Sequence, residues 1–132
     1  QSLHMFADSD NFIGAGWSKL DQNNKGISFR WMGRIGSLLL PVDLSVERRL
    51  TITGCDYAKK RFLKECTLWI DETPLEFSLS RRGNRWTMKA NTPVLPARAY
   101  YLLRLQSSGI TRLTKQTDSF ASLAVSEVKI TD

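Results

Sequence analysis

Along most of this chain apolar side chains return at every second residue, and no other feature restricts the fold as strongly. A period of two puts alternate side chains on opposite faces of an extended strand, whereas a helix with one apolar face repeats every ~3.6 residues. Ile27, Phe29 and Trp31 alternate with Ser28, Arg30 and Met32, which predicts a strand with Trp31 in its core-facing row and Arg30 pointing away from it. The same alternation recurs in Leu50 and Ile52, in Leu68 and Ile70, and in Leu75, Phe77 and Leu79, so each of these strands has one wet face. Residues 35–40 and 100–105 are apolar at both parities and read as central strands covered on both sides. Near the end the phase changes: Leu123 and Val125 share one parity, Val128 and Ile130 the other. A β-bulge near Ser126 and Glu127 reconciles them.

Turn residues punctuate the strands at Asn23-Asn24-Lys25-Gly26, Gly33-Arg34, Thr73-Pro74, Arg82-Gly83-Asn84, Thr92-Pro93 and Ser107-Ser108-Gly109. The spacing leaves room for one helical turn, over residues 56–65, where Ala58 and Phe62 stand four apart. About eight antiparallel strands follow, and because exposed strand edges invite aggregation they are expected to pack as a jelly-roll-like β-sandwich. With 132 residues the chain has the size of one domain, residues 1–132. It opens on Gln1 rather than Met, which reads as a piece of a longer protein. No apolar run reaches the ~18–20 residues that a membrane-spanning helix needs.

Lys and Arg outnumber Asp and Glu by 19 to 13, a net charge of +6 that favours anionic partners. The basic residues gather as Arg48 and Arg49, as Lys59, Lys60, Arg61 and Lys64, and as Arg81, Arg82 and Arg85. Such clusters are usually solvated loops. A nucleic-acid module carries a reading element beside its charge, and no zinc-finger spacing, aromatic box or recognition helix is present, so nucleic acid is not an expected partner.

The residues that most catalytic schemes require are scarce. His4 is the only histidine, placed in a stretch expected to fray, so a Ser-His or Cys-His pair would rest on it. Neither cysteine forms a Cys-x-x-Cys pair, and there is no phosphate-binding glycine loop. Asp71 with Glu72, and Asp8 with Asp10, are the carboxylate pairs that could serve glycoside hydrolysis, although adjacent acids are common in turns. Residues 8–11 suggest an oxygen-rich calcium loop, but Ile13 stands where an EF-hand needs Gly, so no cofactor is expected beyond, at most, structural calcium. Cys55 and Cys66 flank one loop, yet strand parity puts them on different faces, and two reduced, mostly buried thiols are expected.

Four tryptophans remain: Trp17, Trp31, Trp69 and Trp86. Indole faces stack on the C–H faces of sugars while polar neighbours meet the hydroxyls. Trp31 and Trp86 fall in core-facing rows. Trp69 faces away from Leu68 and Ile70, and Trp17 follows Gly14 and Gly16 as a loop anchor.

The order Gly16-Trp17-Ser18, then Phe29-Arg30-Trp31, then Leu38-Leu39-Leu40-Pro41, closing with a strand that begins at Asp118-Ser119 and continues through Leu123, Val125 and Val128, has a counterpart. It resembles the galactose-binding-like β-sandwich domains appended to bacterial glycosyltransferases and other surface-polysaccharide biosynthesis proteins. The resemblance implies a sandwich fold and a non-catalytic carbohydrate-binding or glycan-guiding module beside a neighbouring domain of the same polypeptide. Together with the wet-face and loop residues it nominates Trp17, Arg30, Trp69, Asn84 and Arg85 as contacts to an oligo- or polysaccharide, an acidic one in view of the charge. The alternative expectation is a structural or protein-interaction domain that orients its neighbour or mediates oligomerisation.

Overall fold

A computed structural model describes residues 2–113 and 119–132; Asp118, which opens the closing motif, lies outside the described residues. The described elements are β1 (Leu3–Phe6), β2 (Gly14–Trp17), β3 (Asp21–Gln22), β4 (Ser28–Leu40), β5 (Arg49–Tyr57), α1 (Lys60–Lys64), β6 (Thr67–Ile70) and β7 (Thr73–Leu75). They continue with β8 (Ser78–Arg82), β9 (Arg85–Asn91), β10 (Tyr101–Gln106), β11 (Thr111–Arg112), β12 (Phe120–Ala121) and β13 (Leu123–Thr131). One antiparallel sheet runs β7-β6-β10-β4-β13-β5-β9-β8, with β1 added to β13 and with β2 and β3 added to β4.

The sheet curls into a sandwich because β4 serves both layers. Its start pairs with β13 at Arg30 and Trp31, whereas residues 35–40 pair with β10. The segment expected as one strand over Leu75, Phe77 and Leu79 divides for the same reason. Leu75 ends β7, paired with β6 in one layer, and Leu79 lies in β8, paired with β9 in the other. The chain therefore changes layer at Glu76 and Phe77.

Between the layers lies a continuous apolar core. Leu38 and Leu40 meet Leu50 and Ile52, Trp86 and Met88, Leu103 and Leu105, and Val125, Val128 and Ile130, all buried. Each such side chain contributes roughly 1.5–3 kcal/mol on leaving water. The closing strand contains the expected bulge: Val125 stands opposite Gly54 and Glu127 opposite Thr53, so Ser126 is the extra residue. Its hydroxyl donates to the Thr53 carbonyl at 3.0 Å. A second shift, between Asp56 and Gly54, leaves Cys55 out of the pairing, and both cysteines are free. The helical turn is α1, where Phe62 and Leu63 are buried.

Three expectations are corrected. In β4 the core-facing row is that of Met32, which is fully buried, together with Leu38 and Leu40. Phe29 and Trp31 occupy the other face and pack edge to face at 6.0 Å; Phe29 is buried there as expected, but Trp31 is only half-buried. Residues 35–40 and 100–105 are not covered on both sides, since Ile35, Tyr100 and Leu102 are exposed on the outer face of their layer. The His4 stretch does not fray, because β1 is hydrogen-bonded to β13 from Leu3 to Phe6.

Candidate functional site

Two turns that are distant in sequence face one another across one end of the outer sheet surface. The first is the β8–β9 hairpin, Arg82-Gly83-Asn84-Arg85, in which Gly83 takes a positive φ of 63° that a side chain would strain. Tyr57 steadies it, its hydroxyl donating to the Gly83 carbonyl at 3.3 Å and accepting from Arg81 at 2.5 Å. The second is the turn between β3 and β4. Here the Asn23 side-chain oxygen accepts from the backbone N–H groups of Lys25, at 3.0 Å, and Ile27, at 2.9 Å. A short polar side chain that satisfies two turn amides rigidifies such a loop.

These turns wall a cleft of about 810 Å³, floored by Thr53, Gly54 and Cys55 of β5 and bounded by Phe6 and Glu127. Phe6 is 45% exposed, and the His4 ring stacks on it with centroids 4.2 Å apart. His4 in turn donates through Nε2 to the Glu127 carboxylate at 2.7 Å. Lys25, Arg82 and Arg85 line the cleft and form no ion pair among the described residues. Arg82 and Arg85 stand directly opposite each other, and like charges so placed cost hairpin stability. Burial first, and the neighbouring Asp56 charge second, push the Cys55 thiol up to about 11.

Of the five residues nominated from sequence, Asn84 and Arg85 come together in this cleft. Trp17 and Arg30 form a separate cluster around Phe12. Trp17 meets that ring edge-on at 5.1 Å and donates from its indole to the Ser37 carbonyl at 2.9 Å, so it is half-buried as an anchor of β2 on β4. Arg30 shares the parity of Met32, which turns it inward at the corner of the sandwich. It donates to the carbonyls of Ala7, at 2.9 Å, and Ser18, at 3.1 Å, with its guanidinium 5.9 Å from the Phe12 ring. Trp69 lies in the other layer beneath Arg104, whose guanidinium is 4.8 Å from its ring centroid. Arg30→Ala is expected to lower stability by about 2 kcal/mol, since two hydrogen bonds from a charged donor are lost. The midpoint of urea denaturation measures this, and an unchanged midpoint would show that water serves the two carbonyls equally well.

Of the carboxylates singled out from sequence, that of Asp71 has structural employment. Asp71 adopts a positive φ of 52° in the β6–β7 turn, accepts the Leu102 N–H at 2.9 Å and pairs with Arg98. Residues 8–11 form a tight turn in which Ser9 and Phe6 exchange hydrogen bonds. Among the described residues no three metal-ligating side chains cluster.

Phe6 and the Asn23–Ile27 turn were missed as site residues from sequence. The turn was legible as a turn. Its position opposite Arg82 and Arg85 depends on β13 carrying Phe6 on one side of Glu127 and Thr53 on the other, which no local pattern reveals. Comparison of the sequence with protein families found no matching family model, and comparison with curated proteins found no match.

Proposed function

We propose that this chain is a non-catalytic carbohydrate-binding module, a glycan-guiding accessory of a polysaccharide-synthesis protein, with its sugar site in the cleft between the two turns. The observation that carries this reading is an exposed phenyl ring, Phe6, beside the amide-bearing residues Asn23, Asn24 and Asn84 at one open cleft. A ring supplies a stacking surface for a sugar's C–H face, and amides both donate to and accept from hydroxyls. The resemblance to galactose-binding-like domains points the same way, though the cleft uses Asn84 and Arg85 rather than Trp17 or Trp69.

Isothermal titration with oligosaccharides chosen from a glycan array tests it. Phe6→Ala and Asn84→Ala are each expected to weaken binding about tenfold, with stability lowered by about 1 kcal/mol for Phe6, which is partly covered by His4, and by no more than ~0.5 kcal/mol for the exposed Asn84. Absence of binding to every glycan at millimolar concentration, by protein that remains folded, would reject the reading. The second reading, a protein-interaction domain, is favoured by Ile13, Ile35 and Leu102, apolar residues exposed on the opposite layer. Under it, the Phe6 and Asn84 variants keep full function.

A further inference from the structure

The cleft does not end at Thr53. Side chains two residues apart on a strand share a face, so Thr53 of the cleft is followed by Thr51, Glu127 by Lys129, and Arg85 by Thr87 and Lys89. Across the strands these align in two rows. Phe6, Glu127, Thr53, Thr87 and Ser80 are successive partners, and so are His4, Lys129, Thr51, Lys89 and Ser78. The second row leads into another hollow of about 690 Å³, lined by Arg49, Thr51, Ser78, Lys89, Asn91 and Lys129 among others. From Arg85 to Asn91 along β9 the distance is ~20 Å at the usual rise of a strand, far longer than one sugar ring.

This strip is dense in hydroxyls and carries an uncompensated charge of one sign. Lys25, Arg82 and Arg85 stand at one end, Arg49, Lys89 and Lys129 at the other, and none of the six forms an ion pair among the described residues. The acids on it are Asp8, Glu76 and Glu127, and Glu127 is already engaged by His4. Resting on the reading of the cleft as a sugar site, we infer that the whole outer face of this layer is a groove for an extended acidic polysaccharide. The polymer lies along the strands, its carboxylates meeting the cations at both ends and its hydroxyls meeting the half-exposed Thr51 and Thr87. Charge complementarity selects a polyanion. Among the described residues of this strip Phe6, with His4 stacked on it, is the exposed phenyl group and Phe77 is half-buried in the second hollow, so they form no continuous row of aromatics on which the successive bases of a single-stranded nucleic acid stack, which selects a glycan.

The test compares uronic-acid oligomers of two and of six or more units, drawn from polygalacturonate, alginate and hyaluronan, with neutral maltohexaose and an oligothymidylate of matching length. The full chain is used, with the exposed double variants Lys89→Gln/Lys129→Gln and Arg82→Gln/Arg85→Gln checked for unchanged thermal unfolding. Longer acidic oligomers should bind more tightly than dimers, and affinity should fall with added salt. The Lys89→Gln/Lys129→Gln pair should weaken the long oligomer about fivefold, in keeping with two exposed charge contacts, and leave the dimer unchanged. If that pair has no effect while the arginine pair or Phe6→Ala abolishes binding, the groove is wrong and the cleft stands. Equal affinity for neutral maltohexaose, insensitive to salt, also overturns the groove alone. Tighter binding of oligothymidylate than of any glycan overturns the glycan assignment, and no binding of any acidic or neutral oligomer overturns the cleft as well.

Discussion

Gly54→Ala is expected to destabilise the protein by on the order of 3 kcal/mol or more, enough to lower the urea midpoint by about 1–3 M. A methyl group built at Gly54 falls 2.0 Å from Cε2 and 2.1 Å from Cζ2 of Trp86, and 2.4 Å from the Ala124 carbonyl oxygen. None of these can withdraw cheaply. Trp86 is fully buried and its indole donates to the Asp56 carbonyl at 3.0 Å, so a shift of the ring breaks a hydrogen bond as well as core packing. Ala124 belongs to β13, paired with β5 on this same side. The strand must therefore move away from both neighbours, at the point where it floors the cleft, and Gly54→Ala should also lose ligand. Urea denaturation followed by tryptophan fluorescence measures the effect; a midpoint equal to that of the parent protein would mean that the indole has room the structure does not show.

Gly54 carries a signal that the strict parity reading of Cys55 did not use. A glycine inside an alternating strand signals a bulge or a close approach, and both are found there. The second bulge, at Ser126, was readable because the parities of Leu123 with Val125 and Val128 with Ile130 conflict within one strand. The all-β class and the short helix followed from the period of two and the turn residues. The inward face of β4 was misread because Ile27, Phe29 and Trp31 form the more apolar local row, while burial is decided by Leu38 and Leu40 further along the strand. Once these are inside, Met32 must be inside too, and Arg30 is carried inward with it. The cleft was half legible: Asn84 and Arg85 stood out as polar turn residues, but their partners Phe6 and Lys25 arrive through strand pairings that span most of the chain.

Charge pattern alone was equally silent on Arg48, where the other large effect is expected. Arg48 and Arg49 are adjacent in a basic stretch, yet Arg49 is exposed on the outer face and the Arg48 side chain is only 8% accessible. Its Nε donates to the Asp43 carbonyl at 2.6 Å, its guanidinium pairs with Asp132, and its backbone exchanges hydrogen bonds with Thr92, donating to Oγ1 at 2.9 Å and accepting from N at 2.8 Å. Arg48 thereby ties the segment entering β5 to the residue after β9 through its backbone, and to Asp43 and the residue after β13 through its side chain. Arg48→Ala is expected to cost about 3 kcal/mol, through lost packing of a buried side chain and a carbonyl left without its charged donor. Asp132 is largely exposed and can be rehydrated, which keeps the figure from rising further. Arg48→Met, which restores most of the volume without the charge, should recover about half of that loss, because well-packed apolar replacements of buried ions are often tolerated. Acid should act on the same corner. The Ser45 hydroxyl and N–H, followed by the Arg48 charge, hold the Asp43 carboxyl below its ordinary value. Its stabilising contribution is complete above that ordinary value and is lost as the pH falls through the lowered one. Urea midpoints of the parent, Arg48→Ala and Arg48→Met at neutral pH decide the matter. If alanine and methionine are equally harmful, the guanidinium's hydrogen bonds outweigh its packing; if both are harmless, Arg48 does not hold this corner together.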